Sequence, residues 1–475
     1  MAELAGVESA ARAPLRIRWP EGRPAPRTMW RWLSPLLLLP FGMLAYVITE
    51  QGSLLLLGYL AIAAVSVAIL LQPFVGLAAL TGIFAAEYVI PIEGAMSVTK
   101  AIGWVTLFSV ICRLGLERRI RVTSRPMLVY MVILLGIMGL SVFAARDEVS
   151  ALVVFLTYVQ LVVFVFVTMH LVTSERRMLA LVWTLLAVVG VSAVVGVIQF
   201  TRGGMTRAVG LVADPNMFSL VIGVALPFVM AMIRRHSIPL ARVGLSLVLA
   251  LLVVAVGVSL SRGGYIAFAV GLLLGIIRFV RPLQTLSGTL AFIVLVVVMG
   301  HLPSAVWRRA ESIGPAILRG RDTMGVRYDL WRTGCAMIRE RPWLGVGLHN
   351  TIVTAPEYRP PDADTRRRML HNAYLDIGAE AGIPALVVFL LLLVSAWRES
   401  RRAARIFARH PRSQNLRYIA QCVEIGLIIW MIQAMSLSIG THKMLWLMLA
   451  WCAALARLAA VDAQHAPSGN ARRGA

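Results

Sequence analysis

The chain has 475 residues, of which 59% are hydrophobic and 15% charged, with a mean hydropathy of +0.79. A composition this apolar excludes a soluble globular protein of such length and requires a bilayer as solvent. The formal net charge of +23 is carried by arginine with only two lysines, Lys100 and Lys443, and the four scattered cysteines offer neither a disulfide framework nor metal-ligand spacing.

Residues 1–33 are Arg-rich, contain acids and prolines, and lack the apolar core of a secretory signal, so the first spans are expected to act as uncleaved insertion signals. Apolar runs long enough to cross roughly 30 Å of hydrocarbon then follow near 34–49, 53–71, 75–92, 98–115, 127–145, 150–171, 178–200, 216–233, 240–260, 263–280, 284–301, 372–396, 416–439 and 442–460. Pro35, Pro40, Glu87 and Pro91 interrupt the early runs, so the count is about 12 and at most 14. The expected fold is an all-α polytopic membrane protein. It has a cytoplasmic segment 1–33, a helix bundle 34–301, one long and partly helical loop 302–370, closing transmembrane helices 371–460 and a cytoplasmic tail 461–475.

Basic clusters orient the bundle, because short Arg-rich loops stay in the cytoplasm. Residues 113–125, 174–177, 234–242 and 398–412 each follow an even-numbered span, which places 1–33 inside and the odd-span exits outside. The 201–215 connection, the LSRGG turn at 259–264 and the loop 302–370 then share the outer face.

Ionisable residues at span mouths are costly in such a chain and mark candidate sites. The first cluster, 201–223, holds Arg202, Arg207, Asp214 and Asn216; Asp-Pro-Asn also has the chemistry of a helix start, with Pro215 near its first position. The second is the turn around Arg262, whose Gly pair permits close packing but is no phosphate fingerprint. The third is the loop 302–370, with 12 arginines, Arg327, Arg366 and Arg367 among them, against 7 acids. That excess implies an anionic partner, or a loop resting on lipid headgroups. Residues 325–350 carry apolar positions at helical spacing before Pro342 and a Gly-rich turn, so a surface helix is expected there. Finally His371 and Asn372 stand at the mouth of the 372–396 span, with Asp376 and Glu380 on one helix face, placed to orient the imidazole or to satisfy a loop arginine.

His371-Asn372 followed by Gly382, the RYDLWRTGCAMIRERPWLGVGLHN segment upstream, RAVGLVADPN and LSRGG resemble, in that order, the motifs of the O-antigen ligase and polymerase superfamily of bacterial envelope glycosyltransferases. The resemblance covers about residues 180–440. It implies a multi-pass enzyme of the bacterial inner membrane whose site faces the periplasm, with an undecaprenyl-pyrophosphate-linked glycan as donor. The acceptor is a sugar of the lipid A core in ligases and another lipid-linked glycan in polymerases. It also implies His371 as catalytic residue with Arg207 and Arg262 on the pyrophosphate. Arg202, Asn216, Arg327, Asn372, Arg366 and Arg367 are the substrate-binding candidates around them.

The chemistry fits those side chains. Departure of pyrophosphate from an anomeric carbon needs counter-charge, which arginine supplies through bidentate hydrogen bonds, and the acceptor hydroxyl needs a base, for which imidazole has the matching pKa. No HExxH motif or outer carboxylate cage is visible, so neither metal nor cofactor is expected, and the partners are donor, acceptor and membrane lipids rather than nucleic acid. The basic loop suits a phosphorylated lipid A core and favours a ligase over a polymerase or a protein O-glycan ligase. A transporter of an anionic substrate is the alternative of another class, and it requires Glu87, Glu424 and Gln433 to line one central cavity.

Overall fold

The computed structural model describes residues 15–16, 63–86, 98–117, 121–122, 126–202, 205–212, 214–280, 304–311, 323–360 and 369–464. The chain forms two compact units, residues 1–80 with 90–125 and residues 81–89 with 126–475. The expected spans 34–49 and 284–301 lie outside the described residues, as does most of 53–71.

In the first unit, α1 (Pro73–Ala85, its last turn belonging to the second unit) is followed by α2 (Val98–Glu117), and β1 (Leu15–Arg16) pairs antiparallel with β2 (Arg121–Val122). Ser109 Oγ donates to Leu70 O at 3.1 Å within this unit.

The second unit is built from α3 (Pro126–Val142), α4 (Glu148–Leu171), α5 (Glu175–Thr201), α6 (Pro215–Arg235), α7 (Pro239–Ser259), α8 (Arg262–Phe279), α9 (Ser304–Glu311), α10 (Thr323–Glu340), α11 (Thr351–Tyr358), α12 (Ala373–Phe407), α13 (Gln414–Ala434) and α14 (Lys443–Gln464). Eight helices, α4 to α8 and α12 to α14, are long and apolar enough to cross a membrane, among the described residues. Of these, α6 and α14 are apolar on every side and the most enclosed, which is the pattern of inner helices surrounded by others. Their large side chains meet directly, Phe228 lying edge-on to Trp451 with centroids 5.4 Å apart.

Local signals start these helices. Asp147 Oδ1 accepts the Ser150 N–H at 3.0 Å ahead of α4, and Ser174 caps α5 with Glu175 in its first turn. At α12 the sequence and the structure differ. The basic cluster 398–412 reads as a loop, yet α12 continues to Phe407, since its Ala, Arg and Glu are strong helix formers and extend the span in register.

The connections sort to two ends of the second unit. At one end lie the turns α3–α4, α5–α6, α7–α8 and α13–α14, with α10, α11 and the start of α12; the Asp147 N–H, for instance, donates to Asn350 Oδ1 at 2.8 Å and ties the α3–α4 turn to the start of α11. At the other end Arg235 Nε donates to Asn415 Oδ1 at 2.7 Å, and Ser413 Oγ donates to Asp462 Oδ2 at 2.5 Å. The Arg-rich turns after α4 and α6 and the basic end of α12 gather at this second end.

Between α10 and α12 a small apolar core forms from Leu330, Met337, Val346, Ala355, Leu370 and Ala379. It seats the expected surface helix, α10, against α12. The 342–347 turn then enters a break in α12 at Gly382, whose φ of 83° and ψ of 174° interrupt the helix. Carbonyls freed by the break find new donors: Val346 N–H binds Ala379 O at 2.8 Å and Gly347 N–H binds Glu380 O at 3.1 Å. In return Ile383 N–H binds Pro342 O at 2.7 Å. A Cβ at 382 would overlap Trp343 O and Pro342 O, so only glycine permits both this backbone angle and this approach.

Candidate active site

Arg207 sits at the junction of three segments. The Ala208 N–H donates to Val258 O at 3.0 Å, which holds residues 205–212 against the end of α7. The Arg207 Nε donates to Ser259 O at 3.0 Å, and a terminal N–H reaches Asn216 Oδ1 at 3.1 Å and Leu260 O at 3.4 Å. Asn216 Oδ1 also accepts the Ser261 hydroxyl at 2.9 Å, so one carboxamide oxygen joins the start of α6 to the α7–α8 turn. That turn is tight because Leu260 adopts φ 51°, after which Ser261 caps α8 by accepting the Gly264 N–H at 3.2 Å. Arg262 is thereby fixed as the first residue of α8.

Asp214 behaves as the sequence anticipates for a helix start. Its Oδ1 accepts the N–H groups of Asn216 at 2.8 Å and Met217 at 3.1 Å, with Pro215 at the first helical position. The carboxylate is thus committed to the cap.

Arg327 arrives from α10. Burial lowers its pKa first, and the charges of Arg262 and Arg207 lower it further, with Asp214 opposing. Burial likewise lowers the pKa of Arg207, against the raising effect of Asp214 and Tyr265. Since arginine keeps its proton in proteins, three positive charges from three parts of the chain lie within electrostatic reach of one another and of Asp214, which caps a helix. Such a concentration of positive charge at a half-buried position is complementary to an anion.

His371 lies at the same end, half-buried, with φ 52°. Its backbone N–H donates to Ser438 Oγ at 3.0 Å. The next residue, Asn372, caps α12 through Oδ1, which accepts Tyr374 N–H at 3.0 Å and Leu375 N–H at 3.2 Å. Upstream, the same tripeptide Leu-His-Asn recurs at 348–350, where His349 has φ 59° and Asn350 precedes α11. The leucines of both copies, Leu348 and Leu370, are buried.

The end of α13 and the turn after it connect histidine to arginines. Gln433 Nε2 donates to Ser219 Oγ at 2.8 Å and to Asn216 O at 3.4 Å. Ser436 packs on the α8 start so closely that a Cβ at Gly263 would stand 2.5 Å from its Oγ. Ser438 then holds His371. The sequence does not single out Ser261, Ser436 or Ser438, and it marks Gln433 only as a candidate cavity residue, although the run of polar residues between two apolar spans is the available signal.

The two acids of α12 have separate surroundings. Glu380 accepts the Thr351 hydroxyl at 3.3 Å and the His349 N–H, so it serves the turn that enters the helix break. Asp376 is bonded to Ser438 and to the Leu370 backbone, which makes it the acid adjacent to the His371 backbone, and its Oδ2 has no partner among the described residues.

Other candidates lie apart. Arg202 is exposed at the C-terminal cap of α5, and among the described residues nothing joins its guanidinium to the cluster. Arg366 and Arg367 fall outside the described residues.

Residues 245–390 match the O-Antigen ligase family. The matched stretch holds Arg262, Arg327, both Leu-His-Asn tripeptides and Gly382, while Arg207 and residues 433–438 flank it. No curated protein matches the chain.

Proposed function

We propose, on the premise that residues 245–390 place this multi-pass chain in the O-antigen ligase superfamily, that it moves a glycan from undecaprenyl pyrophosphate to a sugar of the lipid A core on the periplasmic face of the inner membrane. The observation that carries this reading is the meeting of Arg207, Arg262 and Arg327 at the end of the bundle where Ser438 holds His371. Three guanidinium groups within electrostatic reach of one another suit a leaving pyrophosphate. A half-buried imidazole at the same end suits an acceptor hydroxyl.

In this mechanism the acceptor oxygen bonds to the anomeric carbon as the bond to the pyrophosphate oxygen breaks. His371 takes the hydroxyl proton, and the arginines take up the charge that develops on the leaving group. Pre-set geometry supports both roles. Arg207 is held by three acceptors, and the His371 backbone is held by Ser438. The reaction needs no metal in this account.

The orientation rests on charge. The end opposite the site collects the arginines of 174–177, 234–242 and 398–412, and the positive-inside rule assigns that end to the cytoplasm.

A transporter reading finds less support. Glu424 pairs with Arg278 and Arg401 at 3.3 Å each, whereas Gln433 bonds to Asn216 and Ser219 at the other end, so the two do not line one cavity; Glu87 lies outside the described residues.

The envelope glycolipid profile of a deletion strain tests the proposal. Loss of long glycan from lipid A with accumulation of polymerised lipid-linked glycan is expected. Single-repeat glycolipid instead would assign a polymerase, and an unchanged profile would refute both.

A further inference from the structure

At the end of the bundle opposite His371, a cavity of about 130 Å³ opens between α8, α12 and α13. Its lining follows from helical spacing. Arg401, Ala404 and Arg405 with the capping residue Ala408 form one stripe of α12 and its C-terminal end, and Arg417, Gln421 and Glu424 form the facing stripe of α13, with Arg278 closing the space from the end of α8. The two alanines leave the room between the stripes.

Four guanidinium groups therefore surround one carboxylate. Glu424 is buried and is held by Arg278 and Arg401, each at 3.3 Å, and Arg401 also stacks on Trp397 with its guanidinium carbon 4.7 Å from the ring centre. Those two arginines balance the buried acid. Arg405 and Arg417 face the same space with no carboxylate partner among the described residues, Arg417 touching only a neutral acceptor, Gln414 Oε1, at 3.4 Å.

We propose that this cavity binds a phosphate group at the basic end of the bundle, separate from the transfer site. A tetrahedral oxyanion fits the space, and the planar forks of Arg405 and Arg417 match phosphate oxygens in a way that a single ammonium would not. The phosphate comes either from an anionic lipid headgroup in the adjoining leaflet or from a soluble phosphate.

Binding to the purified full-length protein decides the matter. Native mass spectrometry in detergent would titrate phosphatidylglycerol against phosphatidylcholine, and thermal unfolding would be followed with and without inorganic phosphate. Retention of phosphatidylglycerol over phosphatidylcholine identifies a headgroup site; stabilisation by inorganic phosphate alone identifies a soluble ligand. In either case the double variant R405Q/R417Q weakens binding by about tenfold or more, the cost of losing charge-assisted hydrogen bonds. It leaves the Glu424 ion pairs in place, so unfolding without ligand stays unchanged. The double variant R402Q/R409Q removes two nearby exposed charges outside the cavity and keeps full binding. The proposal is overturned if neither ligand binds, or if both double variants lose binding equally, which would reduce the effect to surface charge.

Discussion

Ser438 accepts the backbone N–H of His371 at 3.0 Å, so a hydroxyl 67 residues downstream fixes the one histidine at the mouth of α12. The bond matters because φ 52° is a costly backbone angle for a non-glycine residue and persists only where neighbours enforce it. Ser438→Ala removes the acceptor and leaves the N–H half-buried and unpaired. We expect normal membrane levels with transfer reduced by about tenfold, and recovery in Ser438→Thr, which keeps the hydroxyl. The ratio of kcat to membrane-bound enzyme, measured for both variants, checks this; equal loss in Ala and Thr would show that shape rather than the hydroxyl matters.

Gly382 supplies a prediction about folding rather than chemistry. Its angles lie in a region open to glycine alone, and a side chain there meets the Pro342–Trp343 backbone. Gly382→Ala should cost at least about 3 kcal/mol through strain and overlap. The expected readout is a lower unfolding temperature and reduced accumulation in the membrane, without selective loss of donor binding.

Arg207 and Arg262 separate charge from shape. Lysine keeps the charge but not the fork that lets Arg207 reach Ser259 O, Asn216 Oδ1 and Leu260 O together. Arg207→Lys and Arg262→Lys should each lower kcat/KM for the lipid-linked donor by about 10- to 100-fold, a loss of one or two charge-assisted hydrogen bonds. Activity equal to wild type in both would show that neither guanidinium grips the pyrophosphate.

Counter-charge from arginine also makes a statement about ions. Transfer by purified enzyme should proceed at its full rate in EDTA with no divalent ion added. A requirement for added magnesium or manganese would mean that the pyrophosphate is neutralised in another way.

Much of the frame is legible in the sequence. Spans announce themselves by length and apolarity, and Asp214-Pro215 reads as a helix start because capping is a local event. Arg207, Arg262 and His371 were visible as polar residues at apolar mouths, where desolvation makes them expensive. What escaped is non-local. Nothing in Met435–Gly440 states that Ser436 will meet Gly263 or that Ser438 will meet His371, because those contacts depend on how α13 packs beside α6 and α12. Gly382 stood out as part of a motif, yet its reason, the turn at 342–347 entering the break in α12, exists only in the packed state. At the end of α12 charge density and helix propensity give opposing signals, and propensity prevails, carrying the helix to Phe407.

The central claim is that His371 acts through its imidazole, and the second Leu-His-Asn tripeptide provides a matched control. His349 and His371 have φ of 59° and 52°, and each donates its backbone N–H to a distant side chain, Glu380 and Ser438 respectively. Asparagine tolerates this angle, so His349→Asn and His371→Asn impose a similar and small backbone cost. The decisive measurement is the transfer rate of both purified variants alongside wild type, at matched protein and across pH. The account predicts that His371→Asn folds, binds the lipid-linked donor and loses about 10² to 10⁴ in rate, that His349→Asn stays near wild type, and that the wild-type rate declines on acidification as the imidazole becomes protonated. Near-normal transfer by His371→Asn, or equal collapse of the two variants, would contradict it.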